Sequence, residues 1–161
     1  MNGDDQPNMT PLHRGQLSVL RVGAAAFACF LLIPVLVADF GWRPLETLAP
    51  GIASVAAALL LLAWAILIPR RRYRSWGYRL DEDELHVQSG LWVRTRTIVP
   101  FARVQHIDVM QGPLERRFGV GTLILHTAGT RNSAVALPGL GFEEAGRIRD
   151  IIRGKIRQDL V

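Results

Sequence analysis

Cysteine is nearly absent: the 161 residues hold one, Cys29, inside an apolar run. An intrachain disulfide and a paired-cysteine metal site are therefore excluded, and the residue reads as a small buried hydrophobe, compatible with a reducing compartment. The His-Glu-x-x-His spacing of zinc hydrolases is missing, as is the Gly-x-Ser-x-Gly elbow that exposes a nucleophilic serine. Gly119 and Gly121 lack the following Lys-Ser/Thr pair that a phosphate-binding loop needs. Acidic residues are too few to balance the second half. Residues 70–161 carry sixteen Lys plus Arg against ten acids, and residues 1–69 carry three Arg against four, so net charges of +6 and −1 make up the chain's +5.

What the chain does have is apolar length. Gly51 to Pro69 is a run of nineteen uncharged residues, which as a helix reaches about 28 Å, close to the hydrocarbon thickness of a bilayer. It ends in Arg70, Arg71, Arg72, Tyr73 and Arg74. Ahead of it, Leu17 to Phe40 contains an uncharged stretch from Val22 to Ala38 and a proline, Pro34, that predicts a bend. Two spans joined by a short connection with an interfacial Trp42 form a helical hairpin over residues 17–69. The sequence before Asp39 makes a poor signal-peptide cleavage site and a second span follows at once, so the first run reads as a retained span. Two Arg precede the hairpin core, one lies in its loop and four follow it. The positive-inside rule then places both termini in the cytoplasm, with the chain multi-pass in the plasma (inner) membrane. Residues 1–16, polar and without an apolar period, read as a flexible N-terminal tail, and 70–75 as a basic juxtamembrane linker.

From Trp76 to Val161 the period shortens. WGYRL, the acidic turn Asp81 to Glu84, and LHVQS predict a hairpin with Leu85 and Val87 on one face. After Gly90, Val93, Thr95, Thr97 and Val99 form a core-like face, opposite Trp92, Arg94, Arg96 and Ile98. That second face is either an ordinary charged strand surface or a patch for headgroups or a partner. Val104 and Ile107 differ in parity, which predicts a bulge near Gln105 and His106. Pro113 and Gly119 bracket a single helical turn. A strand follows from Val120 to Thr127, with Leu123 and Leu125 opposite Val120, then a weaker one from Arg131 to Leu137. Phe142 to Leu160 is an amphipathic helix, with Phe142, Ala145, Ile148, Ile152 and Ile156 as its apolar stripe and Arg147, Arg149, Arg153 and Arg157 among its charges.

His13 falls in the tail, and His86, His106 and His126 fall on three different strands without metal-ligand spacing. No catalytic residue, metal or cofactor is expected. The pI near 10.6 could suggest nucleic acid, but a domain tethered by four Arg has lipid headgroups as its nearer anionic partner, so no nucleic acid is expected.

Several short motifs in order carry a family resemblance: Tyr78 and Leu80, Gly90 to Arg94, Val99-Pro100, Arg103-Val104-Gln105, Ile107 and Val109, Gln111 to Gly121, Thr127, and Glu144-Ala145. Through them the chain resembles the bacterial pleckstrin-homology-like domain family, and its double-span anchor looks like that of the YdbS-like membrane members. The resemblance implies an α+β chain: a two-helix transmembrane hairpin, then a bent antiparallel β barrel over residues 76–161 capped by a C-terminal helix. It also implies a non-enzymatic module. The anchor, the lack of catalytic groups and the small residues of both spans, Gly23 to Ala28 and Ala53 to Ala58 among them, then point to a binding or scaffold module whose partner is another membrane protein or a second copy. The alternative is a sensor of anionic headgroups. The candidate contacts for lipid or partner are Arg70, Arg71, Arg72, Arg74, Trp92, Arg94 and Arg96. The first hairpin tip, Asp81 to Glu84, is acidic where eukaryotic phosphoinositide binders carry lysines, so specific phosphoinositide recognition is not expected. Gly112 departs from the family's small polar residue before the helical turn.

Overall fold

Chain order dictates the layout, because strand-forming sequence lies on both sides of the two long apolar runs. The computed structural model describes residues 9–42, 51–128 and 134–158, apart from the side chains of Trp42 and Gln158. Residues 1–8, the Trp42 side chain, residues 43–50 of the expected connection, 129–130 of the expected turn, 131–133 of the last expected strand, and 159–161 lie outside them.

Among the described residues the order is β1 (Thr10–Pro11), α1 (Arg14–Val37, continued by a wide helical turn Ala38–Trp42), α2 (Ile52–Arg74), β2 (Gly77–Leu80), β3 (Glu84–Ser89), β4 (Thr95–Pro100), a short turn of helix (Phe101–Arg103), β5 (Val104–Met110), α3 (Pro113–Arg117), β6 (Val120–Thr127), β7 (Ala134–Gly141) and α4 (Phe142–Gln158). Both α1 and α2 are long and apolar enough to cross a membrane by length and composition. They are clamped at each end. Asp39, at the end of α1, accepts from the Ser54 amide at 3.0 Å and its hydroxyl at 2.5 Å, satisfying a free N–H in the first turn of α2 that Gly51 has no side chain to cap. Midway, the Phe27 and Trp64 rings pack at 5.7 Å. At the other end the Tyr73 hydroxyl donates to the Leu12 carbonyl at 2.6 Å.

Three expectations are corrected here. The tail was predicted to run to Gln16, but Thr10 and Pro11 pair with Tyr78 and Gly77, and Leu12 is buried in the core. His13 is the N-cap of α1, its Nδ1 accepting from the Gly15 amide at 3.1 Å. A two-residue strand has no period to read, so polar composition hid it. The basic segment after Pro69 is no linker through Arg74: α2 continues unbroken to that residue, because a proline near a helix end forfeits one hydrogen bond and the following carbonyls still find donors. Nor do the strands form one closed barrel among the described residues. Sheets β1-β2-β3-β4 and β5-β6-β7 are separate antiparallel sheets, divided where Phe101–Arg103 turns the chain.

The sheets enclose one core of Tyr78, Leu85, Val87, Val99, Phe101, Val104, Leu123, Leu125, Leu137 and Leu140, covered by Ala145, Ile148 and Ile152 of α4. The predicted hairpin stands, with Leu85 opposite Leu80 and Val87 opposite Tyr78. The bulge stands too: the β5–β6 register shifts between Val104 and His106. Val120 keeps its predicted parity yet is fully buried, because α1 crosses that face at Gly15, where an added Cβ would lie 2.8 Å from Val120 Cγ1. Gly112 cannot supply a capping side chain; Glu115 compensates from within α3, accepting from the Gly112 amide at 2.7 Å and from the Thr122 hydroxyl at 3.0 Å.

The buried Tyr78 hydroxyl donates to Glu144 at 2.6 Å, tying β2 to α4. Burial, reinforced by the Glu144 carboxylate, raises the phenol's pKa well above its ordinary value. A raised folded pKa stabilises the fold fully below the unfolded value of about 10 and loses that contribution as pH climbs toward the folded value. Tyr78→Phe should cost about 1–2 kcal/mol at neutral pH. It should also flatten the alkaline fall in urea midpoint expected of the unaltered chain.

Candidate functional site

The seven residues singled out in the sequence lie toward one end of the two-sheet part, the end where the long helices join it. Arg96 lies opposite Gln88, and Gln88 lies opposite Gly77, three residues beyond Arg74. β2 leads away from α2 and β3 returns, so the Gly90–Arg94 turn and the start of β4 share the end of the sheet at which α2 arrives. Arg70, Arg71, Arg72, Arg74, Arg94 and Arg96 are all exposed there. The predicted inward face of this stretch is corrected. Only Val99 is buried, because β4 begins at Thr95. Gly90 adopts φ +124°, and the Val93 carbonyl oxygen sits 1.8 Å from where a Cβ would stand. That close approach folds Leu91 to Arg94 into a tight turn and leaves Trp92 86% and Val93 76% exposed.

A second surface lies at the opposite end. Val104, Gln105, His106 and Ile107 at the start of β5 face Arg149, Arg153, Ile156 and Arg157 of α4 across a groove of about 470 Å³. Val104, Ile107 and Ile156 give its lining an apolar part, and its α4 side carries three arginines spaced four apart. Arg149 pairs with Asp150 at 2.9 Å; this contact lowers the Asp150 pKa and raises that of Arg149, so both stay charged across the neutral range. Arg153 and Arg157 are exposed. The Met110 end of β5 lies beside Gly121 and Thr122, near Gly139, whose carbonyl accepts from the His13 amide at the head of α1. A seven-residue strand therefore sets the groove about 20 Å from the helices. Sequence reading found the arginines but not their convergence with β5. The available signal was their spacing along one helix face.

The histidines do not converge as three. His106 and His126 pair across β5 and β6, rings 5.8 Å apart, both on Asp108 at 2.8 and 3.2 Å. His86 lies in the other sheet, 2.6 Å from Glu84 and 3.1 Å from Asp81. Asp81, Glu84 and His86 have the donor set of a metal site, but Asp81 Oδ2 also receives the Arg79 guanidinium at 2.7 and 3.0 Å. Arg79 already neutralises that carboxylate, so the cluster is better described as an ion-pair network tightening the hairpin tip.

Comparison with known proteins agrees with this architecture. The chain is 36% identical over 140 residues to the transmembrane protein YdbS of Bacillus subtilis, covering 85% of this chain and 82% of that protein. It is 28% identical over 100 residues to the transmembrane protein YdbT of the same organism, covering 62% of this chain and 20% of that protein. No solved structure matches significantly. A family model described as the bacterial PH domain matches residues 18–156, helices included, and the chain belongs to that family of membrane proteins.

Proposed function

We propose that this chain is a non-enzymatic, membrane-anchored module, both termini cytoplasmic, that offers its β5–α4 groove to an acidic segment of another membrane protein or of a second copy. The observation that carries this reading is the groove itself. A lining that combines Val104, Ile107 and Ile156 with Arg149, Arg153 and Arg157 suits a strand or turn bearing carboxylates beside an aliphatic side chain. Its distance from the helices favours the water-soluble part of a partner over headgroups. β5 also has β6 as its one strand partner among the described residues, which leaves an edge for strand addition.

A photo-crosslinking side chain at Gln105, exposed on the bulge, tests this in the native membrane. A discrete adduct with one membrane protein, or with a differently tagged copy of this chain, is expected. It should vanish with Arg153→Glu plus Arg157→Glu while the yield from a site at Glu82 stays the same. Absence of any adduct from position 105 sinks the reading.

A second reading, sensing of anionic headgroups, has one observation in its favour: the register carries Arg94 and Arg96 to the end where Arg70 to Arg74 emerge. Each such arginine contributes about 1 kcal/mol at an anionic surface. The topology rule alone accounts for the four on α2.

A further inference from the structure

Among the described residues, the turn between β3 and β4 holds the most exposed large apolar side chains outside the two long helices, Trp92 and Val93. We propose that this tip inserts into the interfacial layer of the same bilayer that α1 and α2 cross, making a third attachment of the domain to the membrane. Four observations fix the occupant. Through β2, the antiparallel register returns β3 to the end where α2 arrives, and Gly90 lies only two residues, roughly 7 Å of strand, beyond the level of Gly77. β1 pairs with Gly77 and Tyr78 at that same end and runs directly into α1, so both helices leave the domain on the side from which the tip projects. The tip is an indole and an aliphatic side chain, flanked by Arg94 and Arg96. That is the composition of an interfacial anchor, in which the ring sits among headgroups and the cations meet phosphates. Finally, the turn is held by the chain's own backbone at Gly90, so the apolar tip is presented already shaped.

This inference is separate from headgroup sensing, because insertion of Trp92 and Val93 needs no particular leaflet charge. It is also separate from the β5–α4 groove, which lies at the far end.

The test uses the full chain with Cys29→Ser, carrying a nitroxide on Val93→Cys or, as reference, on Glu82→Cys at the acidic tip remote from the helices. Vesicles are phosphatidylethanolamine with phosphatidylglycerol, and in a parallel series phosphatidylcholine alone. Power-saturation EPR should give position 93 several-fold lower accessibility to a water-soluble nickel chelate than position 82, with higher accessibility to oxygen, in both series. Adding Trp92→Glu should raise the nickel accessibility at 93 to that at 82. Equal nickel accessibility at 93 and 82 in the parent overturns the proposal by leaving the tip in water. Low accessibility to both nickel and oxygen overturns it by placing the tip against protein. No response to Trp92→Glu also overturns it.

Discussion

Phe101→Ala should remove about 3–5 kcal/mol from the stability of the two-sheet part, the range for deleting a buried aromatic ring. Phe101 is 1% exposed and stands in the turn that divides the two sheets, its amide donating to the Asp83 carbonyl at 2.9 Å. Its ring joins a core contributed by both sheets and α4, so the cavity opens at their shared junction. Collapse around the missing ring would require the sheets to close on each other, and the hydrogen-bonded corner resists that movement. A urea titration of the full chain in mild detergent, followed by tryptophan fluorescence, measures the loss. Ile98→Ala, on the outward face of neighbouring β4, should shift stability by less than about 0.5 kcal/mol. A loss below about 1 kcal/mol for Phe101→Ala would mean the junction is not closely packed.

Gly139→Ala should have the second large effect, on a different joint. Gly139 has φ +75°, and an added Cβ would lie 2.5 Å from Gln16 Cγ and 2.7 Å from Gln16 Cβ. The left-handed conformation costs about 1–2 kcal/mol for a residue with a Cβ, and overpacking adds about 1–3 kcal/mol. The two contributions separate experimentally. Gln16→Gly in the same chain should recover the packing part and leave the conformational part, giving a favourable coupling in a double-mutant cycle. Gly146→Ala is the matched control, since nothing lies within 4 Å of its added Cβ and it sits inside α4; it should raise stability by about 0.5–1 kcal/mol. Without coupling between positions 16 and 139, α1 and β7 would not meet as described.

Much of this was legible because local chemistry and tertiary fold agree. The acidic run Asp81 to Glu84 could only be a turn between two alternating strands, and the parity conflict between Val104 and Ile107 required an extra residue, found at Gln105. Pro113 and Gly119 bracketed α3 correctly. The misses share a cause: each was decided by something distant in sequence. Leu12 is a core residue because β2, more than sixty positions later, offers an edge. Val120 is buried because the head of α1 covers the face its parity assigned to water. Val93 points outward because the turn at Gly90 is tighter than an alternating pattern reveals. Of the two candidate surfaces, one gathers residues from two short stretches, Arg70 to Arg74 and Trp92 to Arg96, whereas the groove required β5 and α4 to be brought together.

The placement of β1 before α1 and β2 after α2 has a practical consequence for anyone wishing to handle the domain free of its anchor. A chain trimmed to begin at Trp76 loses the edge strand Thr10–Pro11, the buried Leu12 and the bond from Tyr73. Excision with religation, stitching Leu12 or His13 by a short tether to Ser75, keeps the strand and Leu12; clipping once does not.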